Sequence, residues 1–360
     1  MENIMIYPYN RDYSVYVEHQ GLLNGYRVSS LVSPFGWGLV GETLKFGNRE
    51  YVVTDDFSEA LSCSSVVWFV NDDLVPLSSS LLFEQLRKAI AAGKKIIFTR
   101  NDPKEYQIAN ELIPPELNIT MHINEDYDLN PAKKQVYEID TPVIFILGVA
   151  EKTDKFYVQV ALRECFKNKG YRVSSISSRS DSDLLNMHPI PPCMFGNSIS
   201  EVEKVLTFKN FLKQLEIKEL PDIIIVGIPG GAMPYDRNRH NNYGILAYEL
   251  SMAVGCDCAV LCSFYNDYNS EYFEQISEAV NNRLGSNVKY HHIAPFFNGP
   301  YQAHLPGEFD LFSLDSQFVE ERIKKYNNQS VYNLRSSEEI ERLTNSIIDY
   351  LSEDKNAVTI

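Results

Sequence analysis

The run GVAEKTDKF, Gly148 to Phe156, holds the residues best suited to chemistry. It follows the apolar stretch PVIFILG and leads into KFYVQVALRECFKNKG, which has helical spacing. A loop that joins a strand to a helix N-terminus collects free amides and the positive end of the helix dipole, which together suit a phosphate or a carboxylate. Lys155, at the start of the helix, supplies a mobile ammonium. The same residues also fit a plain connection with Lys155 in solvent, since lysines are usually exposed. Both readings stay open on sequence alone.

A second constellation lies in PDIIIVGIPGGAMPYDRNRHNNYG. The pair Gly230-Gly231 leaves an apolar run directly, which fits either a close backbone approach to a ligand or a tight turn without one. Open α/β sheets bind ligands beyond the carboxyl ends of their strands, so the position favours a site. Asp236, Arg237, Arg239 and His240 follow at the same edge. The arginines could clamp an anion; alternatively, this is a solvated loop whose Asn241 or Asn242 caps the next helix.

The remaining reactive side chains read as structural. Cys256, Cys258 and Cys262 fall in GCDCAVLCSF, a buried-strand pattern in which alternation sends all three to one face, and buried cysteine packs as a small hydrophobe. His291-His292 lies in the strand pattern VKYHHIAPFF, so its two rings point to opposite faces and do not chelate one metal. No metal site is expected. His188 and Cys193, among the prolines of DSDLLNMHPIPPCMF, could form a base and nucleophile only if the fold brought them together. Asn71, Asp72 and Asp73 end SVVWFVNDD; the acids read as caps for the next helix or, alternatively, as partners of a cation, with capping the safer reading. No catalytic residue is assigned.

From Gly148 to Lys155 the spacing resembles the loop GTDTEVGKT of dethiobiotin synthetases, a longer relative of the common phosphate-binding loop. PDIIIVGIPGGAMP likewise resembles their strand, EGAGG turn and proline. The resemblance implies a degenerate P-loop NTPase-like fold with an anion or nucleotide site at Gly148, Lys155, Phe156, Gly230 and Gly231, to which the side chains of Asp236 and Arg239, outside the matched pattern, are added as candidates. Three positions depart from the pattern. Asp154 replaces the glycine before the lysine, and a carboxylate about 4 Å from a phosphate would repel it by about 4 kcal/mol at an effective dielectric near 20. Phe156 replaces the hydroxyl that binds magnesium, and Gly227 stands where the second motif has an acid. A nucleotide, ATP or GTP, fits the loop better than its usual Mg²⁺ does.

These residues need a scaffold, and short β-rich runs alternating with helical spacing supply one. IMIYPY, YRVSSLV, SSVVWFV and KKIIFTR form a first set; PVIFILG, YRVSSISS, PDIIIVG and CDCAVLCSF form a second. The hexapeptide GYRVSS occurs at Gly25–Ser30 and again at Gly170–Ser175, so the halves are expected to share an architecture. Near-continuous apolar strands indicate parallel sheets covered on both faces. The expected fold is α/β, with two Rossmann-like parallel-sheet domains: residues 1–112, a linker at 113–142 with an edge strand at NITMHI, and 143–360 ending in the helix SEEIERLTNSIIDYLSEDK. The final NAVTI is expected to fray. No GxGxxG follows the first strand, so a dinucleotide fingerprint is absent.

The chain's 360 residues suit two domains, and 44% hydrophobic residues suffice for two cores. A net charge of −15 disfavours nucleic acid and anionic membranes as partners. Six dispersed cysteines, no run of roughly 20 apolar residues and no secretion signal at the start lead to an expected cytoplasmic location.

Over nearly its whole length the chain resembles bacterial peptide maturation system proteins, most specifically in ILGVAEKTDKFYVQVALRE, GYRVSSISSR and DIIIVGIPGGAMPYD. Such proteins accompany radical-SAM peptide maturases and small Cys-rich or bacteriocin-like precursors in clostridial natural-product clusters. The resemblance implies an accessory role in maturing a ribosomal peptide, with a precursor peptide and a radical-SAM maturase as partners. Two alternatives remain: an ATP-dependent ligase or kinase of the dethiobiotin-synthetase type, and a non-catalytic scaffold with a vestigial P-loop.

Overall fold

The computed structural model describes residues 1–46, 49–72, 75–119, 127–129, 137–269, 271–299, 309–326 and 330–354. The chain forms two compact units, one of Met1–Ile123 with Ser180–Asn186, the other of Asn124–Arg179 with Met187–Ile360. Both are α/β units built on parallel-dominated sheets, as the alternation of apolar runs and helical spacing requires. No helix among the described residues is long and apolar enough to cross a membrane.

The first unit contains β1 (Glu2–Tyr7), β2 (Tyr26–Val32), β3 (Thr43–Phe46), β4 (Arg49–Thr54), β5 (Val66–Phe69) and β6 (Lys95–Phe98), in the order β3-β4-β2-β1-β5-β6. Only the β3–β4 pair is antiparallel. Its helices are α1 (Ser14–Glu18), α2 (Phe57–Ser62), α3 (Ser79–Ala91) and α4 (Pro103–Leu112). Trp68 of β5 is buried and meets Tyr13 and Tyr16 edge-on at 5.3 and 4.8 Å. The Tyr16 hydroxyl donates to Asp181 at 2.5 Å, which ties residues 180–186 into this unit. Asp72 caps no helix and instead meets a cation, the second of the two expected roles. Ser78 caps α3, while Asp72 pairs at 2.8 Å with the buried Arg100, whose second partner is Glu105 at 2.6 Å. A buried guanidinium needs that compensation more than α3 needs a second cap. Asp73 lies outside the described residues. The expected edge strand at NITMHI is represented by one parallel bridge, Asn118 to Ile96; residues 120–123 lie outside the described residues, as do 355–360.

The second unit contains β7 (Val143–Gly148), β8 (Val173–Ser177), β9 (His188–Pro189), β10 (Ile223–Gly227), β11 (Cys258–Tyr265), β12 (Val288–Asn298), β13 (Leu311–Ser313) and β14 (Val331–Tyr332). The order is β13-β12-β11-β7-β10-β8-β9, with β14 also paired to β12, and only β13 runs antiparallel. Helices α5 (Lys155–Asn168), α6 (Glu201–Glu219), α7 (Ile245–Ala253), α8 (Tyr272–Leu284), α9 (Ser316–Ile323) and α10 (Ser337–Asp354) complete it. Every residue of β7 and β10 is buried, the mark of central parallel strands covered on both faces.

The two GYRVSS copies both supply the second strand of a sheet, each entered through a glycine with positive φ, 83° at Gly25 and 91° at Gly170. The halves nevertheless differ in strand order. β2 pairs directly with β1, whereas β10 is inserted between β7 and β8. The repeat specifies a strand and its entry turn; it does not specify the neighbours.

A buried polar cluster lies between α6 and α7. The capping box of Ser200 and Glu203 starts α6, and Lys204 one residue later lies 3.2 Å from Glu201 and 3.8 Å from Glu249 of α7, whose side chain is 5% exposed. Burial, reinforced by the neighbouring Glu201 carboxylate, raises the Glu249 carboxyl to about 7. An unfolded glutamate ionises near 4.5. The folded state therefore holds more protons between these values, and stability falls as pH rises through that window. Glu249→Gln removes the titration while nearly preserving the side chain's size and shape. The expected outcome is a higher melting temperature at pH 8 and a difference that shrinks toward pH 4.5, read by thermal unfolding.

Candidate functional site

The loop after β7 closes tightly over Gly148. A Cβ there would lie 2.5 Å from the Thr153 hydroxyl, 2.7 Å from the Ala150 carbonyl and 2.8 Å from Lys155 Cδ. Val149 N–H donates to the Cys262 carbonyl at 2.9 Å, and Ala232 N–H donates to the Gly148 carbonyl at 2.8 Å, so β11 and the turn after β10 hold the exit point. Thr153 is fully buried and its hydroxyl donates to Ala150 at 3.0 Å. Lys152 and Asp154 have φ of 58° and 68°, and their neighbours have negative φ. Such an alternation is the backbone pattern that can turn successive N–H groups toward one concavity, the kind that suits an anion. The amides of Glu151, Lys152, Asp154 and Lys155 have no acceptor among the described residues.

Lys155 bends back across this loop. Its ammonium donates to the carbonyl of Gly230, which has φ 69°. Burial lowers the lysine to about 8, against the raising influence of Glu151 and the Cys262 thiol. Sequence reading brings Gly148, Lys155 and Gly230 to one edge, and the fold places them there.

Asp154, the acid that stands before the lysine, is paired in this arrangement. The carboxylate is 7% exposed and forms a two-pronged pair with Arg335, Nε to Oδ2 at 2.7 Å and Nη2 to Oδ1 at 2.6 Å. The guanidinium stacks 3.8 Å from the centroid of Tyr157. On the same carboxylate, Oδ2 lies 3.6 Å from His292 Nε2. Because His292 Nδ1 accepts the Leu334 N–H at 3.1 Å, the ring's proton sits on Nε2, facing Asp154. Burial alone would raise the Asp154 carboxyl, but Arg335 and His292 outweigh it and hold the group well below the usual carboxylate range.

The two positions that depart from the magnesium pattern are occupied by other contacts. Phe156 presents its ring 4.9 Å from the Arg179 guanidinium. At Gly227 the space of an absent side chain is filled by the Gln159 amide, which donates to Ser175 Oγ at 3.1 Å and to the Ile176 carbonyl at 2.6 Å. Among the described residues no group of three or more His, Cys, Asp or Glu side chains could hold a metal ion.

The turn after β10 differs from the sequence reading in two ways. Asp236 and Arg239 pair with each other at 2.5 to 2.8 Å, with the guanidinium packed against the rings of Tyr235 and Phe309, so this arginine's fork is committed within its own loop. Asn241 does not cap α7. Its amide donates to the Val149 carbonyl at 2.8 Å and to the Met233 carbonyl at 2.9 Å, stitching the two loops together. Gly231 leaves room for that side chain. Asn241, Asn242, Tyr243 and Gly244 are consecutive left-handed residues, φ 48° to 64°, an arrangement that costs energy at each non-glycine position.

The other reactive side chains are structural. Cys258 and Cys262 are fully buried, and burial raises both thiols and pushes Cys256 up to about 12. His291 bonds Ser277 at 3.0 Å while His292 faces Asp154, in line with opposite faces of β12. His188 bonds Glu219 at 2.7 Å, and burial raises the Cys193 thiol. Sequence reasoning missed Arg335, His292, Gln159 and Asn241 as site-building residues. Only Asn241 carried a local signal, and it was read as a cap.

Gly148→Ala is expected to destabilise the protein by about 1–3 kcal/mol in denaturant unfolding, because backbone rather than a flexible chain end would have to move. Gly255→Ala, with open space around the new methyl, serves as the neutral control. In the same loop, NMR titration of lysine side chains is expected to find Lys155 titrating near about 8, well below ordinary lysines.

No protein-family model matches this sequence, and no curated protein matches it by sequence. Among solved structures, a duf1611 family protein from Anabaena variabilis ATCC 29413 aligns with a TM-score of 0.63 at 12% identity, covering 97% of this chain and 100% of that one. An LAO/AO transport system kinase aligns at 0.35 and 12% identity over 79% of each chain, below the level that implies a common fold. The chain thus has the overall fold of the Anabaena protein.

Proposed function

We propose that the second unit binds a phosphate group, free or on a nucleotide, in the loop from Gly148 to Lys155, without the magnesium contacts of ordinary P-loop enzymes. The observation that carries this reading is the nest itself: alternating φ signs from Glu151 to Lys155, four amides lacking an acceptor among the described residues, and an ammonium that reaches across them. A neutral carbonyl is a weaker acceptor for an ammonium than an ionised phosphate, so the Gly230 contact can be exchanged for a ligand. No side chain is assigned a catalytic step.

The accessory role in peptide maturation, with a precursor peptide and a radical-SAM maturase as partners, rests on the sequence resemblance and not on this geometry. One observation favours the scaffold alternative: Lys155 already has a partner in the Gly230 carbonyl.

Calorimetric titration with ATP, GTP and inorganic phosphate, with and without Mg²⁺, separates the readings. Binding is expected to persist in EDTA and to weaken at least about tenfold, roughly 1.4 kcal/mol, in Lys155→Ala. A bound anion favours the charged lysine. Affinity should therefore fall as pH rises through about 8, with proton uptake on binding above it. ATP turnover would favour the ligase reading. No binding by wild type leaves the scaffold.

A further inference from the structure

Asp154 sits at the position where a phosphate-binding nest tolerates a negative charge least. It is the residue before the lysine, it has left-handed φ, and its own amide belongs to the concavity. Left-handed backbone costs aspartate more than glycine. Two penalties therefore fall on one residue, one conformational and one electrostatic, and a single side chain from the far end of the unit addresses both.

We propose that Arg335 is a positioning residue for the anion site: by gripping the Asp154 carboxylate with two hydrogen bonds, it keeps that charge off the nest and fixes the left-handed turn. The inference rests on the anion-binding reading above. Arg335 is itself held in place. Its guanidinium lies on Tyr157 of α5, its N–H donates to Asn333 Oδ1 at 3.2 Å, and the preceding residue, Leu334, donates to the ring of His292. Asn333 in turn donates to the Ser316 carbonyl at 2.8 Å and its hydroxyl at 2.9 Å, at the start of α9. The cation thus arrives on a segment fixed by β12 and α9, and the geometry of the pair is set by tertiary packing rather than by a flexible surface contact. A two-pronged guanidinium–carboxylate pair holds orientation as well as charge. Its loss would leave a carboxylate with few routes to solvent, free to turn toward the amides that should receive the ligand.

The test compares wild type, Arg335→Ala, Asp154→Gly and the double variant, each titrated with ATP and inorganic phosphate and each melted without ligand. Arg335→Ala is expected to weaken both probes at least about tenfold and to lower Tm; the double variant is expected to bind within about threefold of wild type and to regain most of the Tm. Arg335→Lys, which keeps the charge but loses the fork, should fall between wild type and Arg335→Ala. Wild-type affinity in Arg335→Ala overturns the proposal. So does a double variant as weak as Arg335→Ala, since Arg335 would then act on the ligand directly or on the fold alone. If wild type binds neither probe, the anion-site reading fails separately, and the ligand-free melts decide the pairing: recovery of Tm in the double variant supports it, and no recovery overturns it.

Discussion

At Gly148 the Thr153 hydroxyl, the Ala150 carbonyl and the Lys155 stem all crowd the place a Cβ would occupy, so the chain leaving β7 can curl only over a residue without a side chain. The rest of the rim follows from that closure. It brings Lys155 within reach of the Gly230 carbonyl, lets the Ala232 amide bond the Gly148 carbonyl, and puts the Val149 carbonyl where Asn241 can reach it. Three segments distant in sequence become one edge through backbone groups that had to find partners on leaving the sheet.

Three departures from the dethiobiotin-synthetase pattern are each answered by a contact. The Asp154 charge is taken by Arg335, the space at Gly227 is filled by the Gln159 amide, and Phe156 faces Arg179. A carboxylate beside a nest is unfavourable only while nothing neutralises it, and a missing side chain leaves a cavity only while nothing packs into it. The residue substitutions are thus accommodated by packing, and the loop keeps the dihedral alternation suited to an anion.

The repeated hexapeptide shows how far local sequence reaches. Tyr-Arg-Val-Ser-Ser after a left-handed glycine makes a strand and its entry turn in both units. Whether that strand lies next to the first one depends on which other strands compete for the position, and in the second unit β10 takes the place between β7 and β8. Strand identity is a property of a few residues; strand order is a property of the whole sheet.

Apolar periodicity and glycine placement act over a few residues, so the α/β class, the long central strands, the closing helix, and the loop and double glycine at one sheet edge are legible without coordinates, whereas the short peripheral strands β3, β4, β9, β13 and β14 are not. The sequence also marked His291 and His292 for opposite faces of one strand, since alternation is a local rule. The electrostatics of the loop came from long-range packing. Asp154 and Arg335 stand 181 residues apart, and no spacing rule joins them. Likewise, nothing near Arg239 foretold that its guanidinium would pack against the ring of Phe309, 70 residues on, as well as that of Tyr235. Charge pairing across a fold depends on where packed segments place each side chain, and that placement is fixed by the core as a whole rather than by the residues on either side.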